Sequence, residues 1–246
     1  MSRHPTIRER ILARAKKQSL LLPEYYLGEG IESFHNQRDL LESSFSKAYS
    51  GTVSALGVDF EIKQRMRLIA WAGTYASQVN PQGAFVELGT GKGFSMFFLN
   101  SYLSGLGLTK EFFLFDSFQS DLPSSAKERG SFSAGSKFYA ESFDHVVSLF
   151  SHWPETKLVK GWLPSSLRDS DVKDISFLHV DLNDGLIEVE CIQSLWPTLR
   201  AGTVIVLDDF ANGGRESQRA TVKAFFDEMT VPVLATPQGQ GLVIRP

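Results

Sequence analysis

The sequence predicts an α/β fold: a mostly parallel seven-stranded sheet with an antiparallel hairpin at its C-terminal end and helices ahead of it. Three observations carry this. From residue 84 onward, short apolar runs alternate with longer segments of helical periodicity, the texture of a parallel sheet covered on both faces. The last two apolar runs flank Thr236-Pro237-Gln238-Gly239-Gln240, a turn-rich stretch suited to a closing hairpin. The 246 residues are 42% hydrophobic and 22% charged with 19 Phe, which suits a globular chain with a sizeable core and excludes disorder.

The elements follow in order. Within the first twenty residues, Arg3, Arg8, Arg10, Arg14, Lys16 and Lys17 stand against Glu9 alone, and Ile7, Ile11 and Ala15 recur at helical spacing. A helix with a solvated basic face is expected there, with a transit peptide as the alternative. Residues 31–49 and 58–79 read as two further helices, the second with Ile62, Met66, Ile69 and Gly73 on one face. Asn80-Pro81-Gln82-Gly83 punctuates the chain. Residues 1–80 are therefore expected to form a helical cap or lid region, and 81–246 the main domain. Strands are expected at 84–88, 112–115, 157–159, 175–180 and 203–207, then 231–235 and 241–244. Helices are expected at 94–104, 142–153, 185–199 and 216–229. Residues 117–137 hold seven Ser, two Gly and one Pro, too polar for a buried element, and read as a lid loop.

Composition also narrows the functional classes. A net charge of −3 argues against an electrostatic nucleic-acid binder. One cysteine forms neither an internal disulfide nor a zinc cage and points to a reducing compartment. No stretch approaches ~20 apolar residues, so no membrane span is expected. The expected setting is cytoplasmic.

Ligands of open α/β sheets bind at the carboxyl ends of the strands, and three strand ends here carry unusual residues. The first reads Glu87-Leu88-Gly89-Thr90-Gly91-Lys92-Gly93-Phe94-Ser95. Its glycines allow close backbone approach, and the following helix offers its positive end. A dinucleotide fingerprint needs glycine where Phe94 stands, so GxGxG after an acid suits a methyl donor better than a pyrophosphate. A purely structural turn is the alternative. The second strand end closes on Asp116-Ser117, with the carboxylate placed for ribose hydroxyls or as a simple cap. The third feature is a trio: Asp181 ends one strand, and Asp208 and Asp209 end the next. Carboxylates gathered at one rim repel unless a cation or proton intervenes, and oxygen ligands select a hard ion such as Mg²⁺. Separate caps or solvated loop residues are the alternative.

On these motifs the chain from Gly83 to Pro246 resembles the class I S-adenosylmethionine-dependent methyltransferases, with their Rossmann-like sheet. More narrowly it is similar to the macrocin-type O-methyltransferases. The match runs through residues 85–95, Phe115-Asp116-Ser117-Phe118 with Leu122-Pro123, and Lys160-Gly161-Trp162-Leu163-Pro164. It continues through His179-Val180-Asp181, residues 196–202 and Leu207-Asp208-Asp209-Phe210. The resemblance implies that S-adenosylmethionine meets Glu87, Gly89, Thr90, Gly91, Gly93, Ser95, Asp116, Ser117, Gly161, Trp162 and Asp181. It implies metal ligation, most simply of Mg²⁺, by Asp181, Asp208 and Asp209. Asp181 is then also the candidate base, with His179 as a second candidate. Family members often carry Asp-Leu-Tyr where this chain has Asn183-Asp184-Gly185, which removes a charge and a substrate wall.

The implied reaction is methyl transfer to a hydroxyl of a small molecule or sugar-containing metabolite, with a metal lowering the hydroxyl pKa beside a carboxylate base. The expected partner is that acceptor alone, without nucleic acid or membrane, and a homodimer stays open. Two alternatives remain. A nicotinamide oxidoreductase lacks its sixth-position glycine, and no Tyr has Lys four residues later. A non-catalytic donor-binding module leaves the three-acid rim without a purpose.

Overall fold

The computed structural model describes residues 20–118 and 141–246. The basic helix expected in the first twenty residues and nearly all of the lid loop expected at 117–137 lie outside the described residues.

The described chain opens on a small antiparallel sheet of β1 (Leu20–Leu22), β2 (Tyr25–Gly28) and β3 (Ile31–Ser33). This corrects the helix expected from residue 31. Gly28 pairs with Ile31 across Glu29 and Gly30, both at positive φ (51° and 75°), the backbone of a tight two-residue hairpin turn. Helical structure begins at α1 (Arg38–Leu41) and continues as α2 (Ser43–Leu56). The next helix, α3 (Lys63–Val79), starts five residues later than its periodicity suggests. Its leading loop is pinned by Tyr49, whose hydroxyl donates to Asp59 (2.6 Å) and accepts from the Ile62 amide (3.1 Å).

The main sheet contains β4 (Ala84–Leu88), β5 (Phe112–Asp116), β6 (Thr156–Lys160), β7 (Ile175–Val180), β8 (Leu199–Leu207), β9 (Leu234–Ala235) and β10 (Gly241–Ile244). Their order is β6-β5-β4-β7-β8-β10-β9. The first five are parallel, whereas β10 runs antiparallel to both β8 and β9. Between the strands lie α4 (Phe94–Gly105), α5 (Phe143–Phe150), α6 (Ser165–Arg168), α7 (Gly185–Leu195) and α8 (Glu216–Glu228). The predicted architecture is the observed one. The helix expected to reach residue 199 stops at Leu195, because Pro197 permits only a 3₁₀ turn over Trp196–Thr198, and β8 starts there instead.

Alternation along the strands divides the core. Phe85, Phe112, Leu114, Phe177, Val204 and Val206 face the layer of α2, α3 and α4. Val86, Leu88, Phe113, Phe115, Leu178 and Ile205 face α7 and α8. Strand order reverses between β4 and β7, so the crevice at their carboxyl ends is the switch point where the site belongs. Phe177 is fully buried on the central strand, its ring 5.1 Å from that of Phe85. Phe177→Ala should therefore cost about 3–5 kcal/mol of stability in urea unfolding. A loss below about 1 kcal/mol would mean this layer is not tightly packed.

Candidate active site

The switch-point crevice has two halves. The first is built on β4, β5 and β6. Gly89, Gly91 and Gly93 follow β4 with φ of 91°, 52° and 83°. A Cβ on Gly89 would strike the Asp181 carbonyl, while the Asp181 amide donates to Leu88 O (2.8 Å). The glycine is what lets this loop lie against the end of β7. The Gly91 amide donates to Asp116 Oδ2 and the Phe118 amide to Asp116 Oδ1, each at 2.7 Å. Each carboxylate oxygen so engaged keeps accepting capacity toward a pair of hydroxyls. Half-buried Ser117 follows directly.

The Gly161 amide donates to Asp116 O (2.9 Å), which sets the Gly161-Trp162 turn beside that carboxylate. Helix α4 begins after Gly93 with no side-chain cap, and half-buried Ser95 lies in its first turn. Its positive end suits an anionic group. Glu87 and Thr90, expected on the binding surface of the loop, are enclosed beneath it. The Glu87 carboxylate turns away from the crevice to His179 Nδ1 (2.9 Å).

The second half is the acid rim. Asp181 follows β7, and the Asp208 amide donates to Val180 O (2.9 Å), so the strand ladder carries both acids to one edge. His179 is wholly buried between Glu87 and Asp208, whose Oδ1 stands 3.6 Å from its Nε2, an ion-pair separation. Burial pushes the imidazole pKa down, but the carboxylates on both sides outweigh it and lift it to about 10. That raised pKa favours the protonated imidazole, while burial pushes the Glu87 carboxyl beside it up as well. Burial also pushes the Asp208 carboxyl up, and His179, Arg65 and Gln240 reverse that, holding it at about 2. Asp181 is raised well above the usual carboxylate range by burial and by its neighbours Asp208 and Asp209. Burial and Asp208 raise Asp209 as well.

Four further side chains complete the rim, and no sequence motif marks them. Arg65, from the first turn of α3, places Nη1 on Asp208 Oδ2 and 3.8 Å from Asp209 Oδ1, while its Nη2 donates to Asn212 Oδ1 (2.8 Å). Gln240, from the C-terminal hairpin, donates to Asp208 Oδ1 (2.8 Å). Arg215 donates to Asn183 Oδ1 and lies 3.5 Å from Asp209 Oδ2. The Asn212 amide group donates to Asp209 Oδ1. Asn183 sits at φ 59°, a conformation Asn tolerates well, and Asp184 caps α7 by accepting from the Leu186 and Ile187 amides (3.0 and 3.3 Å).

Among the described residues, no three His, Cys, Asp or Glu side chains are arranged to hold a metal ion. Arginine, glutamine and asparagine donors occupy oxygens of Asp208 and Asp209, two of the three acids that the resemblance assigns to Mg²⁺. The rim as built does not fit a divalent cation.

The family model of macrocin O-methyltransferase (TylF) matches residues 51–233, spanning both halves of the crevice. The chain belongs to the macrocin O-methyltransferase family. No curated protein matches this methyltransferase at a significant level. Among solved structures it is similar to the O-methyltransferase NovP, with a TM-score of 0.62 at 16% identity over 74% of this chain and 80% of NovP. It is also similar to CalS11, a TDP-rhamnose 3'-O-methyltransferase of calicheamicin biosynthesis (0.52, 13%, 82% of this chain and 95% of that one). A third likeness is to PaMTH1 of Podospora anserina, solved with bound S-adenosylhomocysteine (0.51, 14%, 100% and 99%). At these identities the three structures bear on the fold. Family membership itself answers the choice between methyltransferase, nicotinamide oxidoreductase and non-catalytic module in favour of the enzyme.

The raised pKa of His179 has a stability consequence with a definite sign. Its contribution is fully present below the ordinary 6.5 and is lost as pH rises through about 10. Urea unfolding of the methyltransferase should show stability falling across that window, and His179→Gln should flatten the fall. Equal slopes in the two proteins would show that the buried imidazole is neutral.

Proposed function

We propose that this methyltransferase transfers the methyl group of S-adenosylmethionine to a hydroxyl of a small molecule or sugar-containing metabolite, with Asp181 accepting the hydroxyl proton. One observation carries the reading. Asp181 stands where the two halves of the crevice meet, its backbone against Gly89 and its carboxyl beside Asp208 and Asp209. Among the described residues no hydrogen-bond donor is assigned to that carboxyl, and burial beside Asp208 and Asp209 raises its pKa, which strengthens it as a proton acceptor. His179, enclosed between Glu87 and Asp208, acts instead as a support beneath the rim.

The donor half fits the proposed co-substrate. The open N-terminus of α4 and the loop of Gly89, Gly91 and Gly93 suit the amino-acid end, and Asp116 suits two ribose hydroxyls. Gly161 and Trp162 border the same corner and suit the adenosine. S-adenosylmethionine supplies a methyl group on a sulfonium whose thioether leaves without needing a proton. The protein's task is to hold the acceptor oxygen in line with that carbon and to take its proton on Asp181 as the oxygen–carbon bond forms. No metal step is included, because the rim donors do not fit one.

The family's O-methyltransferase activity and the sugar acceptor named for CalS11 support a hydroxyl acceptor. We assign the first turn of α3 to the acceptor side of the 81–246 domain, while α2 and α3, within the 1–80 region expected as a cap, otherwise pack on its sheet as core. The delivery of Arg65 to the rim by α3 supports that assignment. No described helix is long and apolar enough to cross a membrane. The cytoplasmic setting is part of the proposal, resting on the lone buried Cys191.

Two substitutions separate binding from chemistry. Asp116→Ala should weaken S-adenosylhomocysteine binding about tenfold or more in calorimetry, since a charged acceptor is worth roughly 1.5–3 kcal/mol. Unchanged affinity would move the donor elsewhere. Asp181→Asn should leave that affinity within about twofold while lowering kcat by about a hundredfold. A variant that turns over like the parent would remove Asp181 from the chemistry.

A further inference from the structure

We infer that the Arg65 guanidinium is the built-in cation of the acid rim, standing where a divalent metal would otherwise be needed, so that this methyltransferase works without one. The inference rests on the proposed methyl transfer only for its turnover measurement.

The charge inventory of the rim is the first argument. Glu87, Asp181, Asp208 and Asp209 face His179, Arg65 and Arg215. Arg65 engages Asp208 Oδ2 and approaches Asp209 Oδ1 to 3.8 Å. The other Asp208 oxygen takes Gln240, and the other Asp209 oxygen faces Arg215 at 3.5 Å. That leaves Asp181 as the one rim acid without an assigned donor among the described residues. A metal reaching Asp208 and Asp209 would first have to displace a guanidinium that stays charged at every working pH. The side chains concerned are only 12–15% exposed, so Arg65 could not withdraw without leaving the largely desolvated Asp208 Oδ2 short of its charged partner.

The second argument is how Arg65 is held. Its own amide donates to Glu29 Oε1 (2.9 Å), and the Gln64 amide donates to Glu29 Oε2 (2.6 Å). Glu29 also accepts from the buried Tyr26 hydroxyl. Residues far upstream thereby fix the first turn of α3. On the opposite side Gly239, at φ 98°, lacks the Cβ that would collide with Asn212 Oδ1, and Arg65 Nη2 lies 3.6 Å from that position. The C-terminal hairpin is shaped around the Arg65–Asn212 pair. Arg65 acts on the reaction through the acids, as a positioning residue.

The test uses Mn²⁺ as the probe, titrated into the full chain with S-adenosylhomocysteine present and read as loss of the free-ion signal in electron paramagnetic resonance. The wild-type protein should take up no stoichiometric Mn²⁺ and should keep its turnover in excess chelator. Arg65→Met should bind one Mn²⁺ per chain at least about tenfold more tightly than wild type, whereas Arg65→Lys, which keeps the charge, should not. One tightly held ion per wild-type chain, turnover lost to chelator, or an Arg65→Met protein no more receptive than wild type would each overturn the inference. If Arg65→Met does not fold, the wild-type titration and the Arg65→Lys comparison decide. Failure to bind S-adenosylhomocysteine would count against the donor reading while leaving the Mn²⁺ result to stand by itself.

Discussion

Asp181, Asp208 and Asp209 are carried to one edge by the hydrogen-bonded ladders of β4, β7 and β8, and carboxylates crowded there repel unless something positive or protonated lies between them. Much of the chain around the crevice answers that demand. His179 stands under Asp208, and Glu87 holds it there from the neighbouring strand. Arg65 comes from α3, Arg215 from the loop ahead of α8, and Gln240 from the hairpin that closes the sheet. The first turn of one helix, one loop and the hairpin are thus tied to the same few carboxylates. The cost of exposing any one of them is the cost of an unpaired buried charge.

The donor half obeys a different constraint, close backbone approach. Gly89 lets the loop rest on the Asp181 carbonyl, and the Gly91 amide ties the loop to Asp116. The contact at Gly89 joins the two halves, because the residue that buttresses the loop is also the acid left without a donor. Family membership fixes the enzyme class. In the reaction we propose, a methyl donor and a hydroxyl meet at Asp181, and Asp181 and His179 take different tasks through their surroundings rather than through their residue types.

The sheet was legible in the sequence because its signals are local. The 84–88, 175–180 and 241–244 runs coincide with β4, β7 and β10, and the three glycines and Asp116 fall at strand ends as the alternation requires. The small antiparallel sheet was not legible, since Tyr25–Gly28 and Ile31–Ser33 are too short to show periodicity and depend on the Glu29-Gly30 turn. The acids of the site could be picked out by their strand ends. Their partners could not. Arg65 is one of 25 Lys and Arg residues, and its position opposite Asp208 is set by packing across more than 140 positions of sequence. Glu87 is expected from the resemblance to meet the methyl donor with the rest of its loop, and only the pairing of β4 with β7 brings it to His179.

The central claim is that the acid rim is neutralised by the protein's own cations. Anomalous diffraction from crystals grown with S-adenosylhomocysteine and Mn²⁺ tests it most directly. The account predicts no manganese peak at the rim, with the Arg65 guanidinium on Asp208 and Gln240 on its other oxygen. A manganese peak bonded to Asp181, Asp208 and Asp209, with Arg65 swung away, would contradict it.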